Sequence, residues 1–264
     1  MKLLLVDAMH IIGNVLAMDN HDQLTKSFCS EIDRIKRTID PSHMLICFDD
    51  LSRSWRRDMA FEYKQSCNGM SMATRIEAGL LATALKAKGY KTSCHSTMEA
   101  RDIIGSVVKR IEANEGMAEA EIVIAAGGKR YLPMVSNMTY LFSPYNTGKQ
   151  PKKKTLDVVK AEYNMSGKSL LEYFSLIGDT TIAVSGVKGI GPANAKKLLG
   201  EYGTLRELHA NKSMIQGVLG ENLRAGLAQD GDCLKSYHIL NFKKSVSIGM
   251  NLSELFVGEA QQAA

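Results

Sequence analysis

The chain has 264 residues, 45% of them hydrophobic and 23% charged, enough apolar material for a sizeable core, which excludes disorder as the dominant state. Its 33 Lys+Arg and 28 Asp+Glu leave a formal net charge of +5, compatible with a local basic face but too mild by itself to prove a polyanionic partner. Residues 1–149 carry 19 basic and 17 acidic side chains and residues 150–264 carry 14 and 11, so the smaller C-terminal part is relatively the more basic. The five cysteines (Cys29, Cys47, Cys67, Cys94 and Cys233) are odd in number and lack C-x-x-C spacing, which argues against a disulfide framework or a structural zinc and for a reducing compartment. The six histidines are dispersed, without metal-ligand spacing. The apolar run Leu3–Val6 is too short for a signal peptide, and no stretch approaches the roughly 18 apolar residues of a membrane span. The expectation is a soluble cytoplasmic monomer with no membrane partner.

Three short apolar runs, Leu3–Asp7, Met44–Asp49 and Ile122–Gly127, predict buried strands. Amphipathic stretches at Gln23–Thr38, Ala73–Lys88 and Glu99–Asn114 predict helices, and this alternation implies crossovers and a parallel sheet. No G-x-G-x-x-G follows the first strand, so dinucleotide binding is excluded. Ligands of open parallel sheets gather beyond the carboxyl ends of the strands, where Asp7 and Asp49 stand as candidates for one cleft. Thr147–Thr155, with Gly, Pro and the run Lys152–Lys154, reads as a solvated loop between two domains. Beyond it, Leu156–Tyr163, Ser169–Leu176, Ala193–Leu199 and Leu205–His209 predict a helical region, with further helices toward Leu240.

The most specific segment is Ser185-Gly186-Val187-Lys188-Gly189-Ile190-Gly191-Pro192, followed by Ala193-Asn194-Ala195-Lys196-Lys197-Leu198-Leu199. Gly186, Gly189 and Gly191 allow a tight turn and close approach to a ligand, and Pro192 suits a first helical turn. The new helix presents free N–H groups to an anion, and Lys188, Lys196 and Lys197 surround it with no acid between Ser185 and Leu199. That is the pattern of a helical hairpin that clamps phosphates without reading bases. A nucleotide-binding P-loop is excluded because no Gly-Lys-Ser/Thr follows the glycines.

Together with Leu4-Leu5-Val6-Asp7, Phe48-Asp49-Asp50, Trp55-Arg56, Tyr63-Lys64, Glu99-Ala100-Arg101-Asp102 and Gly178-Asp179, the hairpin makes the chain resemble the flap endonuclease and 5′–3′ exonuclease superfamily over nearly its whole length, most like its exonuclease IX branch. The resemblance implies a PIN-like α/β domain over residues 1–150, with an arch at about 63–98. A helical helix-three-turn-helix DNA-binding region over 151–264 follows, with its hairpin at 184–192. It implies a potassium ion held by the backbone carbonyls of Val184, Val187 and Ile190. DNA contacts are implied at Arg56, Tyr63, Lys64, Lys188, Gly189, Gly191, Lys196 and Lys197, with branched or flapped duplex DNA as partner. Cys67 stands where the arch of the family has a basic residue.

Phosphodiester hydrolysis with two divalent cations about 3.5–4 Å apart demands a dense set of carboxylates. By the resemblance nine acids are expected, and Asp7, Asp49, Glu99, Asp102 and Asp179 are present. Arg101 replaces one acid of the Glu-x-Asp-Asp helix start, Gly127 and Lys129 replace the two of a Ser-Thr-Asp-x-Asp loop, and Ile182 replaces the partner of Asp179. The expectation is a pseudo-nuclease that binds DNA without cutting it. Its alternative is a residual Mg²⁺-dependent 5′-nuclease with one weakly held ion at Asp7, Asp49, Glu99 and Asp102.

Overall fold

The structure is a computed structural model that describes residues 1–18, 23–64, 72–145 and 152–257, without the side chains of 72–76. In chain order its elements are β1 (Lys2–Asp7), α1 (Ala8–Ala17), α2 (Leu24–Ile39), β2 (His43–Cys47), α3 (Trp55–Met59), α4 (Met72–Ala87), β3 (Thr92–Ser93), α5 (Ala100–Glu112), β4 (Glu121–Ala125), β5 (Thr139–Ser143) and β6 (Lys152–Lys154). There follow α6 (Leu156–Tyr163), α7 (Gly167–Ile177), β7 (Gly178–Asp179), β8 (Val184–Ser185), α8 (Pro192–Tyr202), α9 (Leu205–Asn211), α10 (Gly217–Gly226) and α11 (Asp232–Leu240). They belong to two compact units, one of residues 1–54, 70–161 and 243 onward, the other of 55–69 and 162–242.

The first unit is built on a six-stranded sheet of order β3-β2-β1-β4-β5-β6. β1 lies between β2 and β4, parallel to both, with Leu5 opposite Leu45 on one side and Ile124 on the other. Leu3, Leu4, Leu5 and Val6 are completely buried, as a parallel strand covered on both faces requires. α2 turns Leu24, Phe28, Ile32, Ile35 and Ile39 into the core at spacings of three and four, and α4 packs against α2 with Ala78, Leu81 and Leu85. Within the stretch expected as an arch, 63–98, the apolar stripe of α4 ties residues 78–85 into the core and β3 joins the sheet, and 65–71 lie outside the described residues.

The lysine run is a correction. Lys152–Lys154 is an antiparallel edge strand, pairing Leu141 with Lys154 and Ser143 with Lys152, rather than a solvated loop. Lysines suit such an edge because they discourage pairing with another chain; Lys153 also places its ammonium 3.8 Å from the centre of the Tyr140 ring. The sheet unit accordingly extends through residue 161, past the boundary expected at 150, and the chain returns to it from Lys243 on. There Lys243 and Val246 donate their N–H groups to Asp102 and Ser106 of α5, and Val257 donates to the Ser42 carbonyl.

In the second unit α7 packs against α8 and α11. β7 and β8 form a two-stranded ladder in which Gly178, at φ +73°, and Gly186 let two backbones nearly touch. A Cβ on Gly178 would lie 2.4 Å from the Gly186 nitrogen. The hairpin turn closes with Ile190 N–H to the Val187 carbonyl at 3.0 Å, and Gly189 takes φ +73°. Among the described residues no helix is long and apolar enough to cross a membrane.

Candidate nucleic-acid interface and remnant acid site

Asp7 ends β1 and at the same time caps α1. Its Oδ1 accepts the His10 backbone N–H at 3.2 Å and its Oδ2 accepts the Tyr131 hydroxyl at 2.7 Å. Asp49 Oδ1 accepts the Ala100 N–H at 2.8 Å, at the start of α5. Glu99 and Asp102 form a reciprocal capping box on that helix. Asp102 Oδ2 takes the Glu99 N–H at 3.1 Å and its Oδ1 the Lys243 N–H at 2.9 Å, while Glu99 Oε1 accepts the Ser54 hydroxyl at 3.1 Å. Glu99, Arg101 and Asp102 are all buried. In the helical unit Asp179 accepts both the hydroxyl and the N–H of Thr181, at 2.6 and 3.2 Å, and caps a short 3-10 turn that buries Ile182.

Each surviving acid thus accepts hydrogen bonds from the protein's own donors. Among the described residues no group of three or more His, Cys, Asp or Glu side chains is placed to hold a metal ion. Two further residues complete this end of the sheet, and sequence reasoning overlooked both. Burial, then Asp7 and Asp49, push the Tyr131 hydroxyl well above the ordinary range against the opposing Arg101, so it donates to Asp7 as a neutral phenol. His10, held below its usual 6.5 by burial and by Arg130 against the pull of Asp7, packs on Gly127. Asp7 followed by Ile11, Ile12 and Val15 was the sequence signal for α1 and hence for His10. The signal for Tyr131 was its place just after Lys129-Arg130.

The residues expected to touch DNA divide in two. Lys188, Gly189, Gly191, Lys196 and Lys197 are exposed around the start of α8, whose first turn has neither a capping side chain nor an acid. Arg56 and Tyr63 are corrected, being fully buried. The Arg56 guanidinium donates to the carbonyls of Ile239 and Asn241, both at 2.8 Å, and stacks 4.4 Å from the Trp55 ring. Those two carbonyls lie at the end of α11, and the Tyr63 side chain is wholly buried as well. Lys64, at φ +56°, donates its N–H to the Ile182 carbonyl at 3.0 Å, and its ammonium lies 5.5 Å from the centre of the Tyr63 ring.

A resolvase-like parallel sheet joined to a helical hairpin unit defines a nuclease-type architecture. The chain belongs to the 5′–3′ exonuclease family: residues 2–164 match its N-terminal resolvase-like domain and residues 165–263 its C-terminal SAM fold. It is 25% identical over 267 residues to flap endonuclease Xni of Tolumonas auensis, covering 96% of both chains. It is 26% identical over 251 residues to DNA polymerase I of Bacillus caldotenax, covering 92% of this chain and 27% of that one. Its fold is similar to that of a bacteriophage T5 flap endonuclease, an aspartate-to-lysine variant solved as a pseudo-enzyme–product complex with DNA and metal ions. That similarity has a TM-score of 0.72 at 15% identity, over 91% of this chain and 89% of that one.

Proposed function

We infer that this chain binds branched or flapped duplex DNA as a monomer, through the 184–192 hairpin and the start of α8, and leaves the phosphodiester uncut. The observation that carries this reading is the use made of the surviving carboxylates. Clamping attacking and leaving oxygens takes carboxylate oxygens turned toward shared cations. Here the oxygens of Asp7, Asp49, Glu99 and Asp102 accept N–H and O–H groups of the protein itself. Arg101, Gly127, Lys129 and Ile182 stand where the family motifs carry four more acids.

The hairpin supplies the grip. Exposed Lys188, Lys196 and Lys197 neutralise phosphates, and the uncapped first turn of α8 offers N–H groups to another. A potassium ion at the turn would be held by the carbonyls of Val184, Val187 and Ile190, whose side chains are buried, in a stretch of sequence with no acid from Ser185 to Leu199. The Val187 carbonyl, already accepting the Ile190 N–H, would offer its second lone pair.

The test is a 5′-flap substrate in millimolar Mg²⁺, read by fluorescence anisotropy and by gel. Binding that weakens steeply with salt and no cleavage products are expected. Products that are absent from a mock preparation and vanish in Asp49→Asn would establish the one-metal 5′–3′ nuclease instead.

A further inference from the structure

Gly127 follows β4, which lies beside β1 with Val6 opposite Ala125, so it stands close to Asp7 at the carboxyl ends of two neighbouring strands. Its φ lies outside the left-handed region, so backbone freedom does not explain a glycine here. Space does. A Cβ at 127 would lie 2.2 Å from His10 Cε1, 2.7 Å from Nε2 and 2.8 Å from Nδ1, where real Cβ contacts essentially never fall below 3.0 Å.

The imidazole has partners of its own. The backbone of His10 is fixed by its N–H to Asp7, at 3.2 Å, and its carbonyl accepts the Asn14 amide at 2.7 Å. The same amide nitrogen lies 3.3 and 3.4 Å from the two ring nitrogens, and the Tyr145 ring meets the imidazole edge-on with centroids 6.0 Å apart.

We propose that His10 is a plug: its ring fills the room into which an aspartate at 127 would project, so that the glycine and the histidine are one coupled change that keeps divalent cations out of this end of the sheet. The proposal rests on the reading of Asp7 and its neighbours as a former metal site. It adds that the site is physically occupied as well as short of acids, and that restoring an acid at 127 alone cannot reopen it.

The coupling is read without DNA or catalysis, by thermal melting of the full chain and by electron paramagnetic resonance of free Mn²⁺. Gly127→Ala should lower the melting temperature by several degrees in the native background and by little when combined with His10→Ala. Gly127→Asp with His10→Ala should bind Mn²⁺ at least tenfold more tightly than the native chain, whereas Gly127→Asp alone should not. Should that double variant fail to fold, His10→Asp, which sets a carboxylate in the ring's own place, is expected to show the same gain. Equal cost of Gly127→Ala with and without the ring overturns the proposal, as does coupling without any gain in Mn²⁺ binding. Cleavage of DNA by the native chain would defeat the proposed function and would leave the melting result to decide the plug on its own.

Discussion

At the carboxyl ends of β1, β2 and β4 the retained acids have been drawn into the protein's own hydrogen bonds, whereas at the 184–192 hairpin the lysines are exposed and the first turn of α8 is uncapped. Both regions keep family residues in sequence, but their polar atoms are used differently. The difference teaches that a retained carboxylate can serve the fold, so its place in the sequence alone does not say that it is kept for a metal. A helix start needs capping acids for reasons unrelated to metals, and Glu99 with Asp102 satisfies that need. In the hairpin Gly186 packs inward against Gly178, while Lys188, Lys196 and Lys197 remain turned to solvent.

The sharpest way to break this comparison is Arg56→Ala. If Arg56 is a strut of the helical unit, the variant loses two charge-assisted hydrogen bonds and a stacked ring, about 3 kcal/mol or more in urea unfolding, with DNA affinity per folded molecule unchanged. A stable variant that no longer binds DNA would return Arg56 to the interface. Next in size is Asp102→Ala. An acid kept for a metal repels its neighbours when no metal is bound, so its removal would stabilise the metal-free protein; an acid kept as a cap does the opposite. Loss of about 2–3 kcal/mol is expected, since the Glu99 and Lys243 N–H groups are left without acceptors.

On the hairpin side, Lys188→Ala, Lys196→Ala and Lys197→Ala should weaken binding to all sequences alike and lower the slope of log affinity against log salt by about 0.9 for each phosphate that is no longer neutralised. A triple variant with the native slope would place the grip elsewhere. The smallest effect concerns His43, whose ring lies edge-on to Phe256 and whose pKa is lowered from 6.5 by burial and by the chain's amino terminus. With the folded pKa below the unfolded one, the unfolded chain binds the extra proton first. Stability is therefore full above about pH 6.5 and declines as pH falls through the window just below it. His43→Gln should flatten that decline in a series of melting curves, and an unchanged slope would remove His43 from the account.

Much of the sheet unit is legible in the sequence because its causes are local. The continuous apolar run of β1 can only be a strand buried on both faces, and the stripe of α2 recurs at helical spacing. β6 was hidden because three lysines look like a loop until β5 supplies a partner. Arg56 finds its carbonyls 183 and 185 residues further on, and the room at Gly127 is taken by a side chain from α1. Nothing local to either residue announces these meetings. The acid site was legible as a list of departures from the family motifs, while the hydrogen bonds of the acids present depended on where α5 starts and on the returning segment at Lys243.

The sheet order also bears on the making of the protein. β1 leaves the ribosome before the other strands but occupies an inner position, and its β4 neighbour begins at Glu121. At about 5–20 residues per second, synthesis of the stretch between them takes on the order of ten seconds. During that time an apolar strand with at best one neighbour presents an open backbone edge to other nascent chains. The growing chain is therefore most prone to aggregate before β4 is made, and holdase chaperones should raise its soluble yield more than a slower unfolding rate of the finished protein would.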